Sequence, residues 1–351
     1  MKIFGLTILR NAIKYDYSFR ESLLSLGGLV QKIYLGLGDS EDETPGEIKK
    51  IPVPMEVIDS PWDPQMMGKG GIILSVQTNI VLNHLRQIHE REENSWGFYL
   101  QADEVIHEED YDLIKKDLQY AEENDYDAVS FRYLHFWQTH HHIGVGKRWY
   151  PSEIRAIKLA TPIESWGDAQ SFRNVKKIFR SEAKIFHYGH VRNRDRYEIK
   201  KYDMHKLYHP TSDQVKLIVK KSKRKDARAQ VLSYFGTHPE VMKERVFSMG
   251  DTWELEERDE IWIVGRAEDY SPSFIESVKA KRIYWLRSIQ KLAWKERSRA
   301  VITDPSFMER ILYRTWVPKK ARSKLALPWN REFLLTLQLS ERGIGLGKCR
   351  E

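Results

Sequence analysis

WGFYLQADEVIHEEDYDLI, residues 96–114, begins as a buried strand and ends abruptly in carboxylates. The apolar and aromatic run from Trp96 to Leu100 reads as a strand, and Asp103 and Glu104 follow almost at once. Acids at the mouth of a strand either meet a cationic ligand or mark a wet edge. Glu108 and Glu109, slightly further on, suit the solvated start of a helix, where acids complement the helix dipole.

Working outward from this stretch, the preceding chain alternates between strand and helix patterns. KIFGLTILR is a short apolar strand, and YSFRESLLSL spaces Phe19, Leu23, Leu24 and Leu26 as one helical face. LVQKIYLGLG is a second strand that ends in the polar cluster DSEDETPGE. IPVPMEVIDSP is a third, and GGIILSVQTNIVLNHLRQI is a helix entered through two glycines. Strand, helix, strand, strand, helix, strand over about 105 residues predicts an α/β domain with a mainly parallel sheet. In such sheets, sites form at the carboxyl ends of strands.

Beyond Asp110 the pattern predicts a helix over YDLIKKDLQYAEEN and strands over YDAVSFRYLHFWQTH, SEIRAIKLA and EAKIFHYGHVR. Between the last two lies ESWGDAQSFRNVKK, where Asp168 sits in a turn expected to open a helix as its N-cap. Lys220–Gln230 reads as a solvated helix or linker. Residues 272–351 read as amphipathic helices broken near Pro305, Pro318 and Pro328.

Composition narrows the function classes. The 351 residues are 41% hydrophobic, enough for a sizeable core, and the single cysteine, Cys349, excludes an intrachain disulfide and a cysteine-rich zinc site. Arg10 and Lys14 interrupt the N-terminal apolar run, so it lacks the order of a signal peptide. No segment approaches the roughly 18 to 20 apolar residues that span a bilayer. The expected location is cytoplasmic. Residues 271–351 carry 18 Lys+Arg against 7 Asp+Glu, an excess of 11 within a total of +7, so residues 1–270 sum to −4. A basic tail with interleaved Trp and Leu matches either an anionic membrane surface or a solvated helical face packed on a neighbour.

Taken in order, LTILRN, GDSEDET, VQTN, YLQADE, WGDAQSF and FHYGHVR resemble the motifs of GT-A glycosyltransferases, in particular the large family-two group that uses nucleotide-sugar donors. The resemblance covers residues 1–265. It implies a Rossmann-like, mainly parallel mixed sheet flanked by helices, followed by a basic helical extension over 266–351. The implied reaction is metal-assisted, inverting transfer of a sugar from a nucleotide-diphosphate sugar to a hydroxyl on a glycan or lipid-linked acceptor. Nucleic acid is not an expected partner, and the extension offers a route to membrane attachment or oligomerisation.

The same resemblance implies residue roles. Arg10, Asn11, Asp39, Gln77, Asn79, Gln101 and Asp103 would contact the nucleotide sugar. The family carries Asp-any-Asp at the fourth strand; here Gln101 stands in place of the first acid, so Asp103 with Glu104, joined by His187, would hold Mn2+ or Mg2+. Such an ion bridges the diphosphate and stabilises the leaving group. Asp168 would be the general base. Strand alternation places His187 and His190 on opposite faces, with Arg192 available for a phosphate or a surface ion pair. The adjacent His140, His141 and His142 cannot all point at one ion and receive no metal. Two other readings remain open: a nucleotidyltransferase on a similar sheet, and a non-catalytic sugar- or polyanion-binding protein in which Gln101 marks lost activity.

Overall fold

The first sheet grows from short apolar runs that alternate with amphipathic helices. Its strands are β1 (Lys2–Leu9), β2 (Ile33–Leu37), β3 (Met55–Asp59) and β4 (Ser95–Tyr99), and its connecting helices are α1 (Phe19–Leu29), α2 (Thr44–Ile48) and α3 (Ile72–Ile88). A computed structural model describes residues 1–89, 94–145, 148–226, 230–234 and 236–249, together with the backbone of five later strands. One element in this stretch, α2, is a single turn started by Pro45 inside the polar cluster and carries no sequence signal.

All four strands are parallel. β1 lies between β2 and β4, with Leu6 opposite both Tyr34 and Tyr99, and β3 flanks β2 with Asp59 opposite Leu37. The chain therefore adds strands on one side of β1 and then crosses to the other for β4. That reversal opens a crevice at the carboxyl ends of β1 and β4, the place where α/β sheets bind ligands. Val81, Leu82 and Leu85 of α3 are fully buried against Leu6, Tyr34, Tyr99 and Ile157. Each such aliphatic side chain contributes roughly 1.5–3 kcal/mol by leaving water.

The chain continues through β5 (Glu104–Ile106), α4 (Tyr111–Glu123), β6 (Ala128–Trp137), β7 (His142–Val145), β8 (Ser152–Lys158), β9 (Glu164–Trp166), β10 (Ser171–Arg173) and β11 (Ile178–His190). β8 runs antiparallel to β4 and β6, and β11 antiparallel to β5. Two helices follow, α5 (Arg194–Tyr208) and α6 (Ser212–Asp226). The result is the mainly parallel mixed sheet flanked by helices that the motif resemblance implies.

Two compact units are present. One comprises Met1–Tyr133, Ser152–Arg228 and Pro239–Lys243, and the other Leu134–Pro151, Ala229–His238 and Glu244–Glu351. The expected boundary at 265/266 lies outside the described residues. In the second unit β7 pairs antiparallel with β12 (Gln230–Tyr234), which precedes the short helix α7 (Lys243–Ser248). The described tail consists of strands β13 (Glu260–Val264), β14 (Arg282–Leu286), β15 (Ala300–Ile302), β16 (Leu334–Ser340) and β17 (Gly343–Arg350). β12, β15, β13 and β14 are mutually parallel in that order, and β16 and β17 add antiparallel.

Two sequence expectations are corrected here. The described parts of 266–351 are strands, not helices: the Ile-Tyr-Trp of Arg282–Leu286 and the alternating Leu of Leu334–Ser340 favour a pleated surface. The segment after Asp168 is a β-hairpin, not a helix, because β9 and β10 pair antiparallel with Ser171 opposite Trp166. Gly167 and Ala169, both at positive φ, form its turn. Among the described residues no helix is long and apolar enough to cross a membrane.

Candidate active site

The acidic stretch that ends β4 folds into a tight turn. The Glu104 N–H donates to the Gln101 carbonyl at 3.0 Å, and the Glu104 carboxylate accepts the Gln101 N–H at 3.0 Å. This geometry sends the two neighbouring acids in different directions. Glu104 enters β5, where it lies opposite His187 of β11, and its side chain turns into the interior. There it meets Arg155 through Nε at 2.9 Å and Nη2 at 2.8 Å, and Tyr133 donates its hydroxyl at 2.7 Å. Both ion-pair partners are fully buried. Glu104 was expected beside Asp103 as a metal ligand; its carboxylate is instead committed to a buried arginine, and it does not reach the crevice.

Asp103 turns the other way, beneath the carboxyl end of β4, and is itself largely buried. Its carbonyl accepts the Tyr188 N–H at 2.8 Å, which ties the turn to β11. Its carboxylate lies beside two cations and an imidazole: Lys200 Nζ at 2.9 Å, Arg192 Nη2 at 3.9 Å and His187 Nε2 at 3.7 Å. Burial alone would raise the Asp103 pKa, but Lys200, His187 and Arg192 outweigh it and hold the carboxyl well below the usual range. Burial, assisted by Arg192, brings the Lys200 ammonium down to about 8. His187 is also shifted down by burial, against the pull of Asp103, and is neutral near pH 7.

Gly189 makes this cluster possible. A Cβ at that position would lie 2.4 Å from His187 Nε2 and 2.9 Å from Asp103 Oδ2. His187 and Gly189 thus share the Asp103 side of β11, as alternation predicts. His190 does not stay on the other side: the strand ends in a turn, with Val191 N–H donating to Tyr188 O at 2.9 Å, and the rings of His187 and His190 come within 5.7 Å.

The helix α5 supplies the groups that sequence reading missed. Asn193 caps it by accepting the Asp195 N–H at 2.8 Å. Lys200, Met204 and Tyr208 then share one face at i, i+4 and i+8. Lys200 reaches Asp103, Met204 meets the Tyr17 hydroxyl at 4.0 Å, and the Tyr208 hydroxyl donates to Asp168 Oδ2 at 3.0 Å. The i, i+4, i+8 spacing of a cation, a thioether and a phenol was the available signal. Burial and the adjacent Asp168 raise the Tyr208 pKa, so it stays a donor.

Asp168 occupies the turn between β9 and β10. That turn is held on α3 by Ser75, whose hydroxyl donates to Gly167 O at 2.8 Å, and on β8 by Arg155, whose Nη1 donates to Gln170 O at 3.2 Å. Arg155 therefore connects the Gln101–Glu104 turn to the Asp168 hairpin. Asn79 pins the same hairpin, exchanging hydrogen bonds with the Ser165 backbone at 2.8 and 3.0 Å. Gln77, likewise expected to contact the donor, is buried and bonded to the Ser60 hydroxyl and, at 3.2 Å, to Pro61 O. Gln77 and Asn79 thus bond to the protein's own loop after β3 and to the hairpin.

At the other mouth of the crevice, the residues after β1 and β2 are joined together. Asn11, at positive φ, accepts the Glu41 N–H at 2.7 Å, and Asp42 accepts the Lys14 N–H at 2.7 Å. Burial works against Asp42, yet the Thr44 and Lys14 donors hold its pKa down. Arg10 Nε lies 3.4 Å from Asp39 Oδ1 and 3.1 Å from Asp39 O, and its guanidinium sits 5.2 Å from the centre of the Trp62 ring. The Trp62 N–H donates to Asp39 Oδ1 at 3.1 Å. Arg10, Asp39 and Trp62 thus form a half-exposed planar and charged group, whereas Asn11 braces the loop. The Gln101 backbone is fully bonded through Ser22 and Glu104.

A divalent cation, implied by the motif resemblance, takes hard oxygen ligands with net negative charge. This cluster offers Asp103 Oδ1 and the neutral His187 imidazole, while Asp103 Oδ2 is bonded to an ammonium. Among the described residues, no group of three His, Cys, Asp or Glu side chains converges to hold an ion. One carboxylate flanked by Lys200 and Arg192 does not fit a resident divalent ion.

No protein-family model matches the chain, and no curated protein does. Among solved structures it is similar to S. aureus TarS 1-349, at 12% identity and TM-score 0.31 over 58% of this chain and 64% of that one. The same protein in complex with UDP gives 13% identity and TM-score 0.33 over the same shares. The 4-diphosphocytidyl-2C-methyl-D-erythritol synthase of Anaerococcus prevotii gives 11% identity and TM-score 0.31 over 56% of this chain and 95% of that one. The match spans less than two thirds of TarS 1-349. All three TM-scores are low, and no residue role is carried over from these structures.

Proposed function

We propose that the first unit transfers a sugar from a nucleotide-diphosphate sugar to a hydroxyl acceptor, a glycan or a lipid-linked saccharide. The observation that carries this reading is the face of α5, which holds Asp103 through Lys200 and Asp168 through Tyr208. Eight residues of helix separate the two contacts, ~12 Å along the axis. That span accommodates a diphosphate at one end, a sugar ring in the middle and an acceptor hydroxyl at the other.

The parts divide the work. Arg10 and Trp62, steadied by Asp39, offer a face and a charge for the nucleobase. The cations around Asp103 receive the diphosphate. Asp168 takes the proton as the acceptor oxygen bonds to the anomeric carbon, the bond from that carbon to the diphosphate breaks, and the electron pair leaves on the phosphate oxygen. Tyr208 occupies Oδ2 of Asp168, which directs Oδ1 to the acceptor. Attack from the side opposite the departing diphosphate inverts the anomeric centre.

The test is thermal unfolding against UDP-, GDP-, CMP- and dTDP-sugars, followed by donor-consumption assays with the stabilising donor and candidate glycan acceptors. A ligand at 100 times its Kd stabilises by about 2.7 kcal/mol. Asp168→Asn retains donor binding and loses turnover if the reading is right. Stabilisation by nucleoside triphosphates alone, with pyrophosphate release, would instead identify a nucleotidyltransferase.

A further inference from the structure

We infer that Lys200, backed by Arg192, takes the place of the divalent ion, so that the donor diphosphate is bound directly by protein cations without a metal. This rests on the proposed nucleotide-sugar site and specifies its chemistry.

Four observations point the same way. Lys200 is a fixed group: its ammonium donates to Asp103 Oδ2 at 2.9 Å and to Gly189 O at 3.1 Å, and its side chain is only 14% exposed. Those two bonds use two of the three donors of the ammonium, which also packs 4.5 Å from the centre of the Tyr17 ring; the third donor is the one a phosphate oxygen would take. Second, the helix that presents Lys200 is tied at both ends, by the Asn193 cap and by the Tyr208 bond to Asp168. The ammonium is therefore positioned before any ligand arrives.

Third, Arg192 is held by the Tyr15 and Gly189 carbonyls 3.9 Å from Asp103, and its Nε is buried without a hydrogen-bond partner. Among the described residues no second carboxylate pairs with this guanidinium, and Glu104 is committed to Arg155. Fourth, Lys200 and Arg192 place two cationic side chains against the single carboxylate of Asp103. Such a cluster repels a dication and attracts a diphosphate. In this arrangement Asp103 acts as a positioning residue that orients Lys200, and the leaving oxygen is stabilised by an ammonium and a guanidinium.

The experiment is calorimetric titration of the full chain with UDP, GDP, CDP and dTDP, in EDTA and again in Mn2+. The variants are Lys200→Met, Lys200→Arg and Asp103→Asn, each checked for its circular-dichroism spectrum. The tightest nucleotide is expected to bind within about twofold in EDTA and in Mn2+. Lys200→Met should weaken it by roughly 10- to 100-fold, the range of a lost charge-assisted hydrogen bond. Lys200→Arg should recover part of that loss, and Asp103→Asn, which leaves both cations but loosens the hold on Lys200, should weaken binding less than Lys200→Met and equally in both buffers. If EDTA abolishes binding and Mn2+ restores it, or if Asp103→Asn is the variant that loses it, the inference is overturned while the nucleotide-sugar reading stands. If none of the four binds in either buffer, that reading falls and the inference with it.

Discussion

Arg155→Met isolates what the Glu104 carboxylate does. In the native protein Arg155 and Glu104 are fully buried and joined by two bonds of 2.8 and 2.9 Å, and Arg155 also donates to Ile154 O and Gln170 O. Methionine fills a similar volume but leaves a carboxylate with no counter-charge in the interior. Removing one member of such a pair costs about 3–5 kcal/mol, and the two orphaned carbonyls move the expected loss to the upper part of that range. Glu104→Gln in the same background removes the stranded charge while keeping an acceptor for the Tyr133 hydroxyl. The double variant should therefore be about 2 kcal/mol more stable than Arg155→Met alone. Urea unfolding followed by tryptophan fluorescence measures both, with m expected to be unchanged. A loss below about 1 kcal/mol for Arg155→Met, or no recovery in the double variant, would show that Glu104 is not a buried structural anion. The assignment of Asp103 alone as the site acid of the motif would then fail.

Other consequences are equally accessible. Tyr208→Phe removes the donor on Asp168 Oδ2 and should lower turnover about tenfold with donor affinity unchanged, whereas Asp168→Asn should lower it by roughly 10² or more. Gly189→Ala places a methyl against the tips of His187 and Asp103. Those tips can swing aside, so the fold should lose only about 1 kcal/mol, while nucleotide affinity falls by roughly tenfold or more; unaltered affinity would contradict the described cradle. With Lys200 lowered to about 8 by burial and by Arg192, against the opposing pull of Asp103, nucleotide affinity should decline above pH 8 as the ammonium loses its proton. The same shift acts on stability with the opposite sign. The folded-state value lies below the ordinary 10.5, so the Lys200 contribution improves between pH 8 and 10.5 and is lost as pH falls through 8. Parallel rather than opposed trends of binding and stability in Lys200-dependent difference profiles would refute this assignment.

Much of the sheet was legible because one-face burial leaves a period. β1, β2, β3, β4, α1, α3 and α4 follow directly from apolar spacing, and the reversal of strand order places the crevice beside Asp103. The hairpin of Asp168 was misread because its turn uses a non-glycine residue, Ala169, at positive φ, which local propensity does not announce. The tail was misread because Trp, Tyr and Leu among cations satisfy helical and strand patterns alike over short runs.

What the chain determined unaided was the α/β order and a carboxylate at the end of β4, since both depend on neighbours within a few residues. The work of each side chain at the crevice was decided only by tertiary contacts. Asp103 and Glu104 are adjacent in sequence and alike in chemistry, yet one is ringed by Lys200, Arg192 and His187 and the other is sealed by Arg155, 51 residues away. Lys200 lies 97 residues from Asp103 and Tyr208 lies 40 from Asp168, and no local pattern encodes either meeting. Charge is compensated in space rather than along the chain, so which acid meets a ligand and which meets a lysine is settled only when the helix α5 docks.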